Sequence, residues 1–154
     1  MLAGAGPTTG AAAVAHPDTR LVVFVGSAEA GAQIAAAAAR AIVPSVLELG
    51  GKSANIVYDD ADLDQAVTGS LGAIFRNSGQ RCFSGSRLLL QDGIHEEFLG
   101  RYVAEASGLR VGDPFDPATE IGPMASATHR ARVERYIADG KSSDATLLVG
   151  GGRP

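Results

Sequence analysis

The sequence predicts an α/β chain in which short parallel strands alternate with helices, and three observations carry that prediction. Arg20-Leu21-Val22-Val23-Phe24-Val25-Gly26 is a continuous apolar run rich in β-branched residues, the pattern of a strand covered on both faces of a parallel sheet. From that run to Leu49 the order is strand, helix, strand, which is a βαβ unit. After Gly50-Gly51 the alternation restarts with a second strand and helix.

Taken in order, Leu2 to Gly10 opens with no strand ahead of it, and Ala11 to Ala15 suit a short helix before His16-Pro17. Ser27 is placed to cap a helix running through the alanine-rich stretch to about Ile42, and Pro44 closes it. Ser45-Val46-Leu47-Glu48-Leu49 is the next strand, and Ala54 to Tyr58 the one after it. Asp59-Asp60-Ala61-Asp62 starts a helix whose early carboxylates suit its dipole, and Leu63, Val67, Leu71, Ile74 and Phe75 then fall on one face. Arg87 to Gln91 reads as a strand. His95 to about Leu109 reads as a helix packing through Phe98, Leu99, Tyr102, Val103 and Ala106. A Pro- and Gly-rich loop follows from Gly112 to Pro123, then a helix from Ser126 to about Gly140 and a last strand over Thr146 to Val149.

Composition narrows the function classes. The 154 residues carry a net charge of −4 with Lys and Arg scattered, which offers no basic footprint for nucleic acid. No apolar run approaches the length of a membrane span, and the N-terminus lacks the basic start of a signal peptide, so the expectation is a cytoplasmic chain. One cysteine excludes an internal disulfide framework and fits a reducing compartment. His16, His95 and His129 have no metal-ligand spacing, so no metal site is expected. The 20 glycines follow no fixed period, which argues against a repeat architecture and marks turns instead.

That single cysteine ends the stretch Asn77-Ser78-Gly79-Gln80-Arg81-Cys82. A thiol that only packs sits among other hydrophobes, whereas this one has polar and cationic company, the setting of a reactive thiol. A second corner of interest lies where the first strand meets its helix. Gly26-Ser27-Ala28-Glu29-Ala30-Gly31 places a helix N-terminus at the carboxyl edge of a parallel sheet, a place where nucleotides bind. The spacing is not G-x-G-x-x-G, and neither this stretch nor Gly50-Gly51-Lys52-Ser53 completes a phosphate-binding P-loop. On the residues alone, Gly26 and Gly31 read first as a strand-to-helix turn with close packing.

These motifs, in this order and separation, resemble the middle of an NAD(P)-dependent aldehyde dehydrogenase of the superfamily that uses a catalytic cysteine. The resemblance runs from Gly4-Ala5-Gly6-Pro7-Thr8 through Phe24-Val25-Gly26-Ser27, Leu47-Glu48-Leu49-Gly50-Gly51-Lys52-Ser53 and Asn77 to Cys82, to Gly112-Asp113-Pro114 and the end. It implies an incomplete aldehyde dehydrogenase-like fold: residues 1–50 the end of a Rossmann-like cofactor domain, and residues 51–154 the start of an α/β catalytic domain. It further implies an aldehyde substrate, NAD or NADP as cofactor, and a homo-oligomer for the full-length enzyme.

By the same resemblance Cys82 is the nucleophile that adds to the aldehyde, and Glu48 the general base that activates water against the resulting thioester. A carboxylate between Leu47 and Leu49 is expected to be partly desolvated; the alternative is a strand-end glutamate pointing to solvent. The oxyanion donors of the family are the cysteine's backbone N–H and an asparagine from a motif upstream of Gly4, which Asn55 and Asn77 do not match. Gly26, Ser27 and Gly31 fall at the helix facing the cofactor pyrophosphate, and Leu49 and Gly50 near the nicotinamide. The resemblance covers a segment of a longer enzyme, so the isolated chain is expected to be inactive. Two other readings stand beside catalysis: a non-catalytic module whose exposed sheet edges pair with a partner, and cysteine acyl transfer or esterase chemistry without hydride transfer.

Overall fold

The apolar run at Arg20–Gly26 forms strand β1 (Val22–Gly26), which pairs in parallel with β2 (Ser45–Leu49) from Val22 opposite Ser45 to Gly26 opposite Leu49. In the computed structural model, which describes residues 1–153, these strands belong to the first of two units, Met1–Gly51 and Lys52–Pro154. Ahead of β1, Pro7 opens a wide helical turn over Gly6–Gly10 that runs into the four-residue helix α1 (Ala11–Val14). Helix α2 (Ala28–Arg40) connects the two strands, so the expected βαβ unit is present.

Both ends of α2 have identifiable causes. Ser27 Oγ accepts a hydrogen bond from the Ala30 N–H at 3.2 Å, satisfying one of the donors that a helix start leaves open. At the other end the helix stops at Arg40 rather than continuing to Ile42. Ile42 takes a left-handed φ of 55°, and the Val43 N–H returns to the Ala38 carbonyl at 2.9 Å. This is a Schellman closure, with Pro44 next to forbid further winding. Ala38 is buried beneath the turn.

The second unit repeats the pattern. Strand β3 (Ala54–Val57) pairs in parallel with β4 (Arg87–Leu90), and α3 (Leu63–Phe75) makes the crossover. The acidic run that was expected to open the helix instead lies ahead of it, with Asp62 capping: its carboxylate accepts from the Gln65 N–H at 3.1 Å. Helix α4 (His95–Gly108) follows β4, and α5 (Ala127–Lys141) begins at Ser126, whose Oγ caps the His129 N–H. Val57, Val67, Leu71, Ile94 and Phe98 form the core of this unit, drawn from β3, α3, the turn before α4, and α4 itself. Phe98 is fully buried and stacks on Tyr102 with ring centroids 6.0 Å apart. Burial raises the Tyr102 pKa above its ordinary value.

Thr146 to Val149 does not form the expected strand. A strand exists through its ladder, and this stretch finds none among the described residues. It lies against the end of α5 instead, where Lys141 Nζ donates to the Gly151 carbonyl and the Arg153 guanidinium grips the Glu134 carboxylate. Each sheet of the described residues has two strands. Among those residues no helix is long and apolar enough to cross a membrane, and no group of three or more side chains could hold a metal ion.

Candidate active site

The chain approaches Cys82 through an unusual backbone. Asn77, Ser78 and Gly79 all lie in the left-handed region, at φ 55°, 54° and 70°, directly after α3. A side chain is strained in that conformation through its Cβ, so two non-glycine residues held there need compensating bonds. Those bonds are present. Asn77 Nδ2 donates to the Gln80 carbonyl at 3.2 Å, and the Gln80 N–H donates to the Asn77 carbonyl at 3.0 Å. Ser78 Oγ donates to the Gly122 carbonyl at 3.2 Å, tying the turn to the Pro- and Gly-rich loop. That loop is itself braced, because Val111 and Ile121 form a parallel bridge and the Gly112 N–H donates to Ile121.

Beyond the turn the backbone is pinned again. The Ser84 N–H donates to the Arg81 carbonyl, the Gly85 N–H to Ala73 at the end of α3, and the Arg87 N–H to Ser53 ahead of β3. Cys82 therefore sits between two anchored points, and its side chain is exposed. Among the described residues its backbone N–H has no acceptor. An exposed sulfur beside an unspent N–H is an arrangement suited to attack on a carbonyl and to holding the oxyanion that results. The Arg81 guanidinium lies 5.4 Å from the centroid of the Phe83 ring, a cation–π contact between the two residues that flank the thiol. Ser84 is buried, and its hydroxyl has no hydrogen-bond partner among the described residues.

In the first unit, the strand register brings Gly26 opposite Leu49 and Val25 opposite Glu48. Gly26, Ser27, Gly31, Leu49 and Gly50 thus gather at the carboxyl ends of β1 and β2 and the start of α2. Gly31 is buried, and a Cβ there would stand 2.6 Å from Leu49 Cδ2, so the glycine lets α2 close onto β2. A Cβ at Gly26 would strike the Phe24 ring at 2.4 Å. Close packing therefore accounts for both glycines. Gly50 is exposed, with open space where a Cβ would stand. The N–H groups of Ala28 and Glu29, in the first turn of α2, have no acceptors among the described residues, which fits this end of the helix to a phosphate. Glu29 in the same turn adds a negative charge that moderates the fit.

Glu48 is exposed, contrary to the partial desolvation expected between two leucines. Its neighbours Leu47 and Leu49 are half-buried and project to the opposite face of the strand, which is why they do not cover the carboxylate. Cys82 belongs to the second unit and Glu48 to the first.

Three features of the cysteine loop were not read from the sequence: the left-handed Asn77 and Ser78, the Ser78 bond to Gly122, and the Arg81–Phe83 cation–π contact. Gly79 marked a turn but not its length. The Gly122 partner lies 44 positions away, and no local pattern announces it.

Comparison with known proteins places this geometry. The model of the aldehyde dehydrogenase family matches residues 1–154. Betaine aldehyde dehydrogenase of Rhizobium etli is 48% identical over 146 residues, 95% of this chain and 30% of that protein. The crystal structure of HpcC from Thermus thermophilus superposes with a TM-score of 0.96 at 43% identity, over 98% of this chain and 29% of that one. A betaine aldehyde dehydrogenase double mutant from Staphylococcus aureus, solved with NAD+ and a BME-modified cysteine, superposes at 0.94 and 39% identity, covering 98% and 30%. The chain thus spans about 30% of the length of the relatives it matches. It is α/β in fold throughout that span, and it belongs to the aldehyde dehydrogenase family.

Proposed function

We propose that the protein serves the NAD(P)-dependent oxidation of aldehydes to carboxylic acids, with Cys82 as nucleophile and Glu48 as general base. The observation that carries this reading is the exposed Cys82, held on a braced left-handed turn with no acceptor for its own N–H among the described residues, in a chain matched along its whole length by one family. On this reading residues 1–50 supply part of the cofactor domain and residues 51–154 part of the catalytic domain.

Cys82 Sγ, as thiolate, adds to the carbonyl carbon, and the carbonyl electron pair moves to oxygen. The Cys82 N–H donates to that oxyanion. NAD(P)+, when bound, would supply the acceptor for the hydride on that carbon; Cys82 Sγ is the atom that keeps the resulting acyl group as a thioester. Glu48 takes a proton from water as the water oxygen bonds to the acyl carbon. The C–S bond then breaks, the carboxylic acid departs, and the Cys82 thiolate is restored. The open N–H groups at the start of α2, beside Gly26 and Ser27, would hold the pyrophosphate, and Leu49 and Gly50 would border the nicotinamide. A cytoplasmic setting suits a lone thiol that must stay reduced.

Turnover is assigned to a polypeptide or assembly that completes the two sheets, and to its homo-oligomer, rather than to the 154 residues alone. The support is the 30% coverage together with two-stranded sheets, which are marginal by themselves. The test is NAD(P)H formation from several aldehydes by the full-length polypeptide, its Cys82→Ser and Glu48→Gln variants, and the isolated chain. Activity in the full-length form, lost by at least about a thousandfold in Cys82→Ser and absent from the isolated chain, is the expected result. Undiminished activity in Cys82→Ser would overturn the assignment.

A further inference from the structure

We propose that Ser78 is a positioning residue for Cys82, acting by fastening the cysteine turn to the neck of the loop 112–123; this rests on the proposed role of Cys82 and adds a determinant of its geometry. The backbone around the thiol is an arch raised from one helix end. Its first foot is the end of α3 at Phe75, and its second is the Gly85 N–H, which donates at 3.1 Å to the carbonyl of Ala73 in the last turn of the same helix. The bonds between Asn77 and Gln80 are internal to the arch, so they hold its shape and not its direction. An arch with both feet on one helix end is free to tilt as a body. Of residues 77–80 Ser78 alone is not exposed, and its Oγ donates at 3.2 Å to the Gly122 carbonyl, a segment outside that helix.

The segment it reaches is itself held. The Glu120 and Ile121 N–H groups both donate to the Arg110 carbonyl, at 2.9 and 3.0 Å, and the Gly112 N–H donates to Ile121 at 3.0 Å. The Glu120 carboxylate accepts from the Arg110 N–H at 3.0 Å, which completes the neck next to Gly122. Beyond it, Asp113 and Asp116 accept from the Phe115 and Ala118 N–H groups and order the rest of the loop. Leu71, Phe75 and Ile121 line one small cavity, so the neck stands against the last turns of α3. The neck is therefore a fixed post, and its position passes to the arch through the Ser78 hydroxyl. Opening the neck at Glu120 and removing the hydroxyl at Ser78 release the same link. Hydride transfer is sensitive to such a release, because a displacement of about 1 Å at a reacting centre costs on the order of a hundredfold in rate. Alkylation of an exposed thiol needs only access and ionisation.

Single-turnover formation of NAD(P)H, with full-length enzyme and NAD(P)+ in excess over the parent's best aldehyde substrate, reads the geometry. Alkylation of Cys82 by iodoacetamide as a function of pH reads its exposure and ionisation. Ser78→Ala is expected to slow the single-turnover rate constant by about tenfold, while the alkylation rate and its pH profile change by less than about twofold. A rate constant reports the folded fraction alone, so partial unfolding does not imitate that split. Glu120→Ala slows the same step, and the double variant is no slower than Ser78→Ala, because the second change acts through a link already broken. A parental single-turnover rate in Ser78→Ala, an equal fall in its alkylation rate, or multiplied losses in the double variant overturn the proposal. Inactivity of Cys82→Ser beside a parental rate in Ser78→Ala would overturn it while leaving the proposed reaction intact.

Discussion

Asn77, Ser78 and Gly79 wind left-handed in succession, and that turn sets where Cys82 leaves the end of α3. Gly79 alone is suited to the conformation by its lack of a Cβ, and an added Cβ would lie 3.4 Å from the Ile74 carbonyl oxygen. Gly79→Ala is expected to weaken the loop by about 1–2 kcal/mol, seen as faster amide hydrogen exchange over residues 76–82 with little change in α4. Ser78→Ala removes the bond to Gly122 and is expected to cost about 1 kcal/mol by the same measurement. At this scale the sequence is informative about chemistry and poor about geometry. A polar loop around the only cysteine pointed to a reactive thiol, and that thiol is exposed. The exposure of Glu48 was misjudged because flanking leucines cover a carboxylate only if they share its face, and on a strand they do not.

At the scale of single elements, caps and packing glycines were the legible features, because each depends on a few neighbouring residues. Ser27 caps α2 as expected, and Ser126, where the sequence indicated only the start of the last helix, caps α5. Asp62 does the same for α3, where the sequence suggested only a dipole effect. The Gln65 backbone N–H, and then its side-chain amide, hold Asp62 below the ordinary carboxylate value of 3.8. A folded value below the unfolded one means that this cap contributes fully above pH 3.8 and is lost as pH falls through the lower, folded value. Asp62→Asn keeps an acceptor that does not titrate. Amide exchange at the start of α3 is therefore expected to lose its acid-sensitive component in that variant, while the parent retains it. Helix α2 presents the second test. Gly31→Ala sets a methyl 2.6 Å from Leu49 Cδ2, and the displacement of Leu49 is expected to outweigh the better helix propensity of alanine, for a net loss of about 1 kcal/mol in thermal unfolding. The absent strand at Thr146–Val149 shows the limit of reading elements alone: its apolar pattern is real, but strand formation depends on a partner that local sequence does not reveal.

Over the whole molecule, the alternation of strand and helix was enough to give the α/β class, and motif order gave the family, which the matches along 154 residues bear out. What the sequence could not give is how much apolar surface the described residues leave uncovered. Val23, Val25 and Val46 on the first sheet, and Ile56 and Leu89 on the second, are all exposed. Parallel strands read as continuous apolar runs because such sheets are covered on both faces, and here the described residues leave these side chains uncovered. The isolated chain is accordingly expected to associate in sedimentation velocity, and a monodisperse monomer would count against that view. The central claim concerns Cys82 and is tested most directly by peptide mass mapping of full-length Glu48→Gln quenched after mixing with NAD(P)+ and an aldehyde. The account predicts about one equivalent of NAD(P)H per site and the acyl mass on the peptide containing Cys82, because the thioester forms and then waits for its base. An equal burst with that peptide unmodified would contradict it.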